Sequence, residues 1–234
     1  VRPTGRTAPG KIVRALPTPR RYPRPMATHW IWYVLAPLLI GGYALWYVSR
    51  YLRNKASFEA FATQRGWFYT ERDLELLSRC HGQPFDLMPR RPRTWHAIEG
   101  QWGNVHILSF EYSQVFRRSS SQARRVFMQV TGIRLPFPAL DVYAEPRGII
   151  GQFARDIGFK RAGTGDEGFD QQWVTRGQVT PAMQQWLTQH GRPFRVLGGV
   201  LETWERGRFD PQRIDPALTD LQQLLPVLAG VSGR

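Results

Sequence analysis

Residues 30–48 read WIWYVLAPLLIGGYALWYV, from Trp30 to Val48, and no formally charged residue lies between Arg24 and Arg50. As a helix, these 19 residues extend roughly 28 Å at about 1.5 Å each, which matches a hydrocarbon core of about 30 Å. Eight of them are Leu, Ile or Val, and each favours insertion by roughly 0.3–0.6 kcal/mol. Trp30, Trp32 and Tyr33 mark one end, and Trp46 and Tyr47 the other, as interfacial aromatic belts do. Pro37, Gly41 and Gly42 are tolerable in lipid, where neighbouring groups re-satisfy the backbone. A buried core helix would not need that length or a double belt. A cleaved signal peptide needs a shorter apolar region and a small-x-small site, which neither Ala44-Leu45-Trp46 nor Val48-Ser49-Arg50 supplies. An interfacial helix would need a polar face. The stretch therefore predicts a single-pass transmembrane helix over 30–48, with the lipid bilayer as its partner.

Charge is distributed around this span. The net charge is +14. Arg2, Arg6, Lys11, Arg14, Arg20, Arg21 and Arg24 give the first 25 residues +7 with no acid, and Arg50, Arg53 and Lys55 add +3 just after the span. Only +4 remains for residues 56–234. The basic pI thus belongs mainly to the flanks of the anchor, which weakens the inference from basic charge to nucleic acid. Residues 1–29 form a Pro-rich tail with no apolar periodicity, expected to be disordered or not translated. The topology follows the start site, because basic residues stay on the cytoplasmic side. Translation from Val1 puts the domain outside; translation from Met26 leaves Arg50, Arg53 and Lys55 to hold it in the cytoplasm. The reading adopted is Met26 and a cytoplasmic domain.

The rest reads as a juxtamembrane helix over 49–64 and one soluble domain over 65–230. Leu52, Phe58, Phe61 and Ala62 continue the helix, and Gly66 stops it. Trp67–Tyr69 reads as a short buried strand, 71–82 as a short helix with Leu74 and Leu77 inward, and 84–92 as a loop. Thr94–Glu99 and Val105–Tyr112 alternate around a Gly103-Asn104 turn. Val126–Leu135 is the next strand, Arg117–Arg125 its polar connecting loop, and Leu140–Ala144 a further strand. Ile149, Ile150, Phe153 and Ile157 repeat at helical spacing, and Phe169–Thr175 reads as a strand. Thr180-Pro181 caps a helix with Met183, Trp186 and Leu187 inward, ended by Gly191. Phe194–Leu197 and Val200–Trp204 form a hairpin across Gly198-Gly199. Asp215-Pro216 opens a last helix carrying Leu218, Leu221, Leu225 and Leu228, bent by Pro226. Strands joined by short turns predict an α+β fold: one N-terminal transmembrane helix, then a mostly antiparallel sheet with helices packed on one face.

Phe169, Asp170, Trp173 and Val174, followed by Thr180-Pro181-x-Met183, a Gly-Gly hairpin and a Leu-rich last helix, resemble a bacterial family of single-pass membrane-anchored domains of unknown function. Phe61–Tyr69, FATQRGWFY, is similar to the opening of its actinobacterial members after their anchor. The resemblance covers residues 30–230 through packing motifs, and this chain shortens the Val174–Thr180 connection. It implies an anchor plus a domain, and it supplies no catalytic residue or cofactor.

No sequence pattern points to a reaction. Cys80-His81 are adjacent in sequence, whereas catalytic nucleophile–base pairs are generally distant. His96 and His106 flank the hairpin turn without a third metal ligand. Asp166, Glu167 and Asp170 match no Ca²⁺-loop spacing and fit a solvated turn. Neither a phosphate loop, a G-x-S-x-G nor an H-E-x-x-H is present. Arg90, Arg91 and Arg93 lie in one stretch, and Arg117, Arg118, Arg124 and Arg125 bracket Ser119-Ser120-Ser121. Such a hairpin tip is either simply solvated or held against anionic lipid, where each Arg contributes about 1 kcal/mol. The expectation is a membrane-tethered, non-enzymatic interaction module without a cofactor. Its partner is a protein or an anionic lipid surface, contacted through Arg50, Arg53, Lys55, Arg117, Arg118, Arg124 and Arg125. The alternative is an enzyme assembled from scattered His96, His106 and Asp170.

Overall fold

The computed structural model describes residues 29–82, 84–85, 90–119, 122–147 and 164–232. The chain divides into two units, Val1–Ser49 and Arg50–Arg234. Helix α1 covers His29–Gln64 and contains Pro37. It is the one described helix long and apolar enough to cross a membrane, and none of its most apolar window is buried by the rest of the chain. Trp32, Tyr33, Trp46 and Tyr47 are exposed, Trp30 lies in the first turn of the helix, and Gly41 and Gly42 face open space. This is the candidate membrane span.

The second unit contains the last turns of α1, then β1 (Phe68–Thr70), α2 (Glu75–Arg79), β2 (Arg90–Trp102), β3 (Val105–Ser119), β4 (Gln122–Arg134) and β5 (Val142–Pro146). There follow α3 (Glu167–Gln172), β6 (Trp173–Arg176), α4 (Pro181–His190), β7 (Phe194–Leu197), β8 (Val200–Arg206), a 3₁₀ turn (Pro211–Arg213) and α5 (Ile214–Ser232). The strands form one eight-stranded sheet in the order β1-β2-β3-β4-β8-β7-β5-β6, and each neighbouring pair is antiparallel. The α+β architecture is as the sequence predicts.

Side chains alternate between the two faces of a strand, and the two faces carry different clusters. On one face Ile107, Ile133, Ala144, Phe194 and Leu201 meet Ala62 of α1, Phe169 of α3, Met183 and Leu187 of α4, and the stripe Ile214, Leu218, Leu221, Leu224 and Leu228 of α5. On the other face Phe110, Met128, Val130 and Trp204 are covered by Leu76 of α2 and by Phe85. Among the described residues, one face therefore takes the main helical layer, and the opposite face takes the short helix α2.

Several boundaries differ from the sequence reading. Arg117–Arg125 is not a connecting loop: β3 runs to Ser119 and β4 resumes at Gln122, with Val115 opposite Arg125 and Phe116 opposite Arg124. Partner strands satisfy the backbone there, so polar side chains are no obstacle to a strand. β2 is longer at both ends than Thr94–Glu99. Phe169 lies in a helix rather than a strand, because the Asp166 carboxylate accepts from the Phe169 N–H and caps α3; the strand begins only at Trp173. In α2 the buried residue is Leu76, while Leu74 precedes the helix and is 69 % exposed. Trp67, not Phe68, is the buried residue at β1. Leu224 rather than Leu225 completes the buried stripe of α5. β5 begins at Val142 rather than Leu140. The helical repeat at 149–157 lies outside the described residues. The Thr180 cap, Pro181 at the first turn and Gly191 in a left-handed terminus match the sequence reading.

The end of α1 is fastened to the sheet by Trp67. Its Nε1 donates to the Gln101 carbonyl at 2.7 Å, and its ring lies on Gly100, where a Cβ would fall 2.2 Å from Trp67 Cδ1. The Phe61 ring lies 6.1 Å from the Trp67 ring, and the Arg65 guanidinium sits 3.7 Å over Phe61 while pairing with Asp215 at 2.7 Å. Gly100→Ala is therefore expected to push the indole off the strand and destabilise the domain by about 1–3 kcal/mol, the usual cost of overpacking. Thermal or denaturant unfolding followed by Trp fluorescence measures it.

Candidate functional site

Two regions at opposite ends of the strands carry unusual charge. The first is the end where β2 begins and the β3–β4 hairpin turns. Arg91 and Arg93 are exposed on β2, Arg124 is exposed on β4, and Arg117 and Arg118 belong to β3. Arg125 Nη1 donates to the Arg91 carbonyl at 3.3 Å and to Ser113 Oγ at 3.1 Å. Arg208 lies 3.4 Å over the Phe127 ring and pairs with Glu111 at 3.2 Å. The other oxygen of Glu111 accepts from the Phe209 N–H at 2.9 Å. Partial burial, then Arg93, Arg91 and Arg208, lower the pKa of Arg125. Arg125 thus has Arg91, Arg93 and Arg208 as neighbours, and of these Arg208 pairs with Glu111.

Residues 51–58 of α1 meet the domain beside Glu71 and His96. The Tyr51 hydroxyl donates to Glu71, Lys55 pairs with the other Glu71 oxygen at 2.7 Å and lies 3.9 Å from Glu59, and the Glu71 carbonyl accepts from the His96 N–H at 2.9 Å. Lys55 is thus engaged by carboxylates of the domain. Arg50 and Arg53 lie on exposed positions of the same helix.

His96 sits at a bulge of β2 between Trp95 and Ile98, in a left-handed conformation with φ 53°. Such a φ is uncommon outside glycine, and His is among the residues enriched there. Its ring meets Phe58 of α1 at 5.1 Å and Phe209 at 6.0 Å, and its Nδ1 lies 2.8 Å from the Tyr69 hydroxyl. Burial lowers the His96 pKa; Glu111 and Glu71 oppose this, and Arg208 adds to it.

The second region is the opposite end of the strands, on the face away from α5. Glu99, Leu108, Gly132, Glu202 and Arg195 stand in one cross-strand row from β2 to β7. Arg195 Nε donates to Glu202, its Nη1 donates to the His81 carbonyl at 2.6 Å, and its guanidinium lies 4.5 Å over the Phe85 ring. The two side chains are 5 % and 13 % exposed, a buried ion pair. Glu99 and His106 pair at 3.0 Å. Cys80 and His81 follow α2 and complete a wall, and the hollow between them and the sheet has a volume of about 660 Å³. Burial is the main cause that raises the Cys80 thiol to about 12, with Glu202 adding and Arg195 opposing.

The scattered set His96, His106 and Asp170 is not brought together. His96 packs on the helical face with Phe58, and His106 lines the hollow on the other. Asp170 accepts from the Thr164 N–H and hydroxyl. Asp166 caps α3 and Glu167 lies exposed in its first turn. Among the described residues, no three His, Cys, Asp or Glu side chains are grouped to hold a metal. The Arg195–Glu202 pair was missed in the sequence, although its signal was present: a two-residue turn at Gly198-Gly199 sets the register that puts these residues opposite one another.

Two outcomes follow. A base whose pKa is lower folded than unfolded destabilises the fold as pH drops below about 6.5. The loss of stability between about pH 7 and 5 is therefore expected to be shallower in His96→Asn, since Asn tolerates the left-handed backbone; melting curves across that range report it. Cys80, raised from about 9 to about 12, holds roughly 10³-fold less thiolate than an ordinary thiol at neutral pH. In the folded chain it is expected to label with maleimide far more slowly than in denaturant, as read by mass shift.

No family model matches this chain, and neither a curated protein nor a solved structure shows detectable similarity to it.

Proposed function

We propose that this chain is a membrane-tethered, non-enzymatic interaction module whose basic end lies against anionic lipid headgroups on the cytoplasmic side. The observation that supports the reading is the crowding of Arg91, Arg93 and Arg208 around the Arg125 guanidinium, which donates to the Arg91 carbonyl, while Arg208 pairs with Glu111. Like charges held together repel, and an anionic surface relieves that repulsion. The candidate span keeps the local lipid concentration high, so weak contacts suffice. Three exposed arginines near an anionic surface contribute about 3 kcal/mol together. Arg50, Arg53 and Lys55, following the span, favour the cytoplasmic side. On this reading the chain belongs with the membrane-anchored bacterial domains that its motifs resemble.

The test uses the full chain in nanodiscs, with Gln122→Cys carrying a polarity-sensitive maleimide dye; slow-reacting Cys80 leaves that site selectively labelled. In phosphatidylglycerol-containing discs the emission is expected to shift to the blue relative to phosphatidylcholine discs. The shift should vanish in Arg91→Glu/Arg93→Glu and at about 1 M salt, where screening acts within about 3 Å. Equal emission in both discs overturns the lipid reading. So does a lipid-independent shift seen only in native membranes, which would assign the surface to a protein partner.

A further inference from the structure

The hollow on the face opposite α5 is the feature that neither the anchor nor the basic end explains. Its floor is the row containing Glu99, Leu108, Gly132, Glu202 and Arg195. The middle member has no side chain: a Cβ at Gly132 would fall 2.9 Å from Glu202 Cγ. The Glu202 side chain thus lies over Gly132, close to Val200, and both line the hollow. Row neighbours Phe110, Val130 and Trp204 on one side are covered by Leu76 and Phe85. On the other side Leu197, Val200 and Arg134 form the margin. Arg195 props the wall, because it bonds the His81 carbonyl and underlies Phe85 while tied to Glu202. A buried ion pair of this kind costs desolvation, and here it braces the chain that follows α2.

Among the charged groups around the hollow, Glu202 is paired with Arg195 and Arg79 with Glu75 at 2.8 Å, while Glu99 lies 3.0 Å from His106 Nε2. Arg134, exposed beside Gly132, makes no ion pair among the described residues. A cavity of about 660 Å³ falls in the range typical of small-molecule sites, which combine apolar walls with a few convergent polar groups. We propose that this hollow binds a small organic anion, its apolar body against Leu108, Leu197, Val200 and Leu76 and its acidic group on the Arg134 guanidinium. Arginine offers a planar fork matched to a carboxylate. A cationic group at that margin would meet the Arg134 charge instead. The hollow lies at the other end of the strands from the arginine cluster and on the face away from residues 50–64 of α1. The proposal is thus independent of the lipid reading, and its ligand comes from the aqueous phase.

The test is ligand-detected NMR titration of the full chain in phosphatidylcholine nanodiscs, with empty discs subtracted. The probes are naphthalene-2-carboxylate and the neutral 2-naphthamide, equal in shape. Saturable binding is expected, with the carboxylate preferred about tenfold, equivalent to about 1.4 kcal/mol. Arg134→Ala, an exposed position whose loss leaves the core intact, should erase that preference. Val200→Trp, which fills the hollow, should weaken both probes, and Arg124→Ala at the far end should change neither. Binding no greater than to empty discs, equal affinity for the two probes, or a preference that survives Arg134→Ala overturns the proposal.

Discussion

The structure of the domain rests on burial of the α5 stripe against one face of the sheet. Ile214, Leu218, Leu221, Leu224 and Leu228 are almost fully buried, each worth roughly 1.5–3 kcal/mol of transfer free energy. They pack over β4 and β8 and beside α4, in a core that also includes Ile107 of β3 and Phe194 of β7, so strands distant in sequence are held as one layer. That packing needs α5 to start at a defined place, and buried polar groups fix it. Glu111 accepts from the Phe209 N–H, while Gln129 both accepts from the Asp210 N–H at 2.9 Å and donates to the Asp210 carbonyl at 3.0 Å. Asp210 then caps the 3₁₀ turn that leads into the helix. Polar side chains on a buried face are costly unless satisfied; here they are satisfied by the backbone that positions the main apolar element.

One consequence is asymmetry. With α1, α3, α4 and α5 sharing a face, the other receives, among the described residues, α2 and Phe85. That cover lies over Phe110, Val130 and Trp204. The hollow lies beside it, with Arg195 bracing its wall. The Arg195–Glu202 pair also explains why a charged residue sits between Phe194 and Val196 on an inner strand: the alternation points it to the thinly covered face.

Local signals were legible in the sequence and non-local ones were not. Thr180-Pro181, Gly191 and the Gly198-Gly199 turn act through backbone geometry within a few residues, and each stands where its chemistry requires. The length and apolarity of 30–48 likewise needed no tertiary context to mark a candidate span. Arg117–Arg125 looked like a loop because polarity was taken for exposure to a turn, whereas the pairing of β3 with β4 decides its conformation. Phe169 looked like a strand because a six-residue helix leaves almost no periodicity; the Asp166 cap was the better signal. Of the hollow, the Arg195–Glu202 contact followed from a turn already recognised. The approach of Glu202 to Gly132 and the position of Arg134 depended on which strands flank β4, and that is set by the whole sheet order.

The distribution of arginine separates what the fold needs from what it tolerates. Arg195 is structural, since it is buried, paired and bonded to the chain that forms the wall. Arg91 and Arg93 are exposed, and Arg91 adopts φ 51°, a conformation unfavourable for a long side chain. Neutral residues would serve the β2–β3 ladder as well without the repulsion that adds to burial in lowering the pKa of Arg125. Arg134 likewise spends its charge on open solvent beside a depression. Where a sequence accepts strain and unbalanced charge that its packing does not require, the cost points to a role outside folding. In this domain those departures gather at the two ends of one sheet, on opposite faces. That arrangement suits a module that holds a surface with one end and leaves the other free.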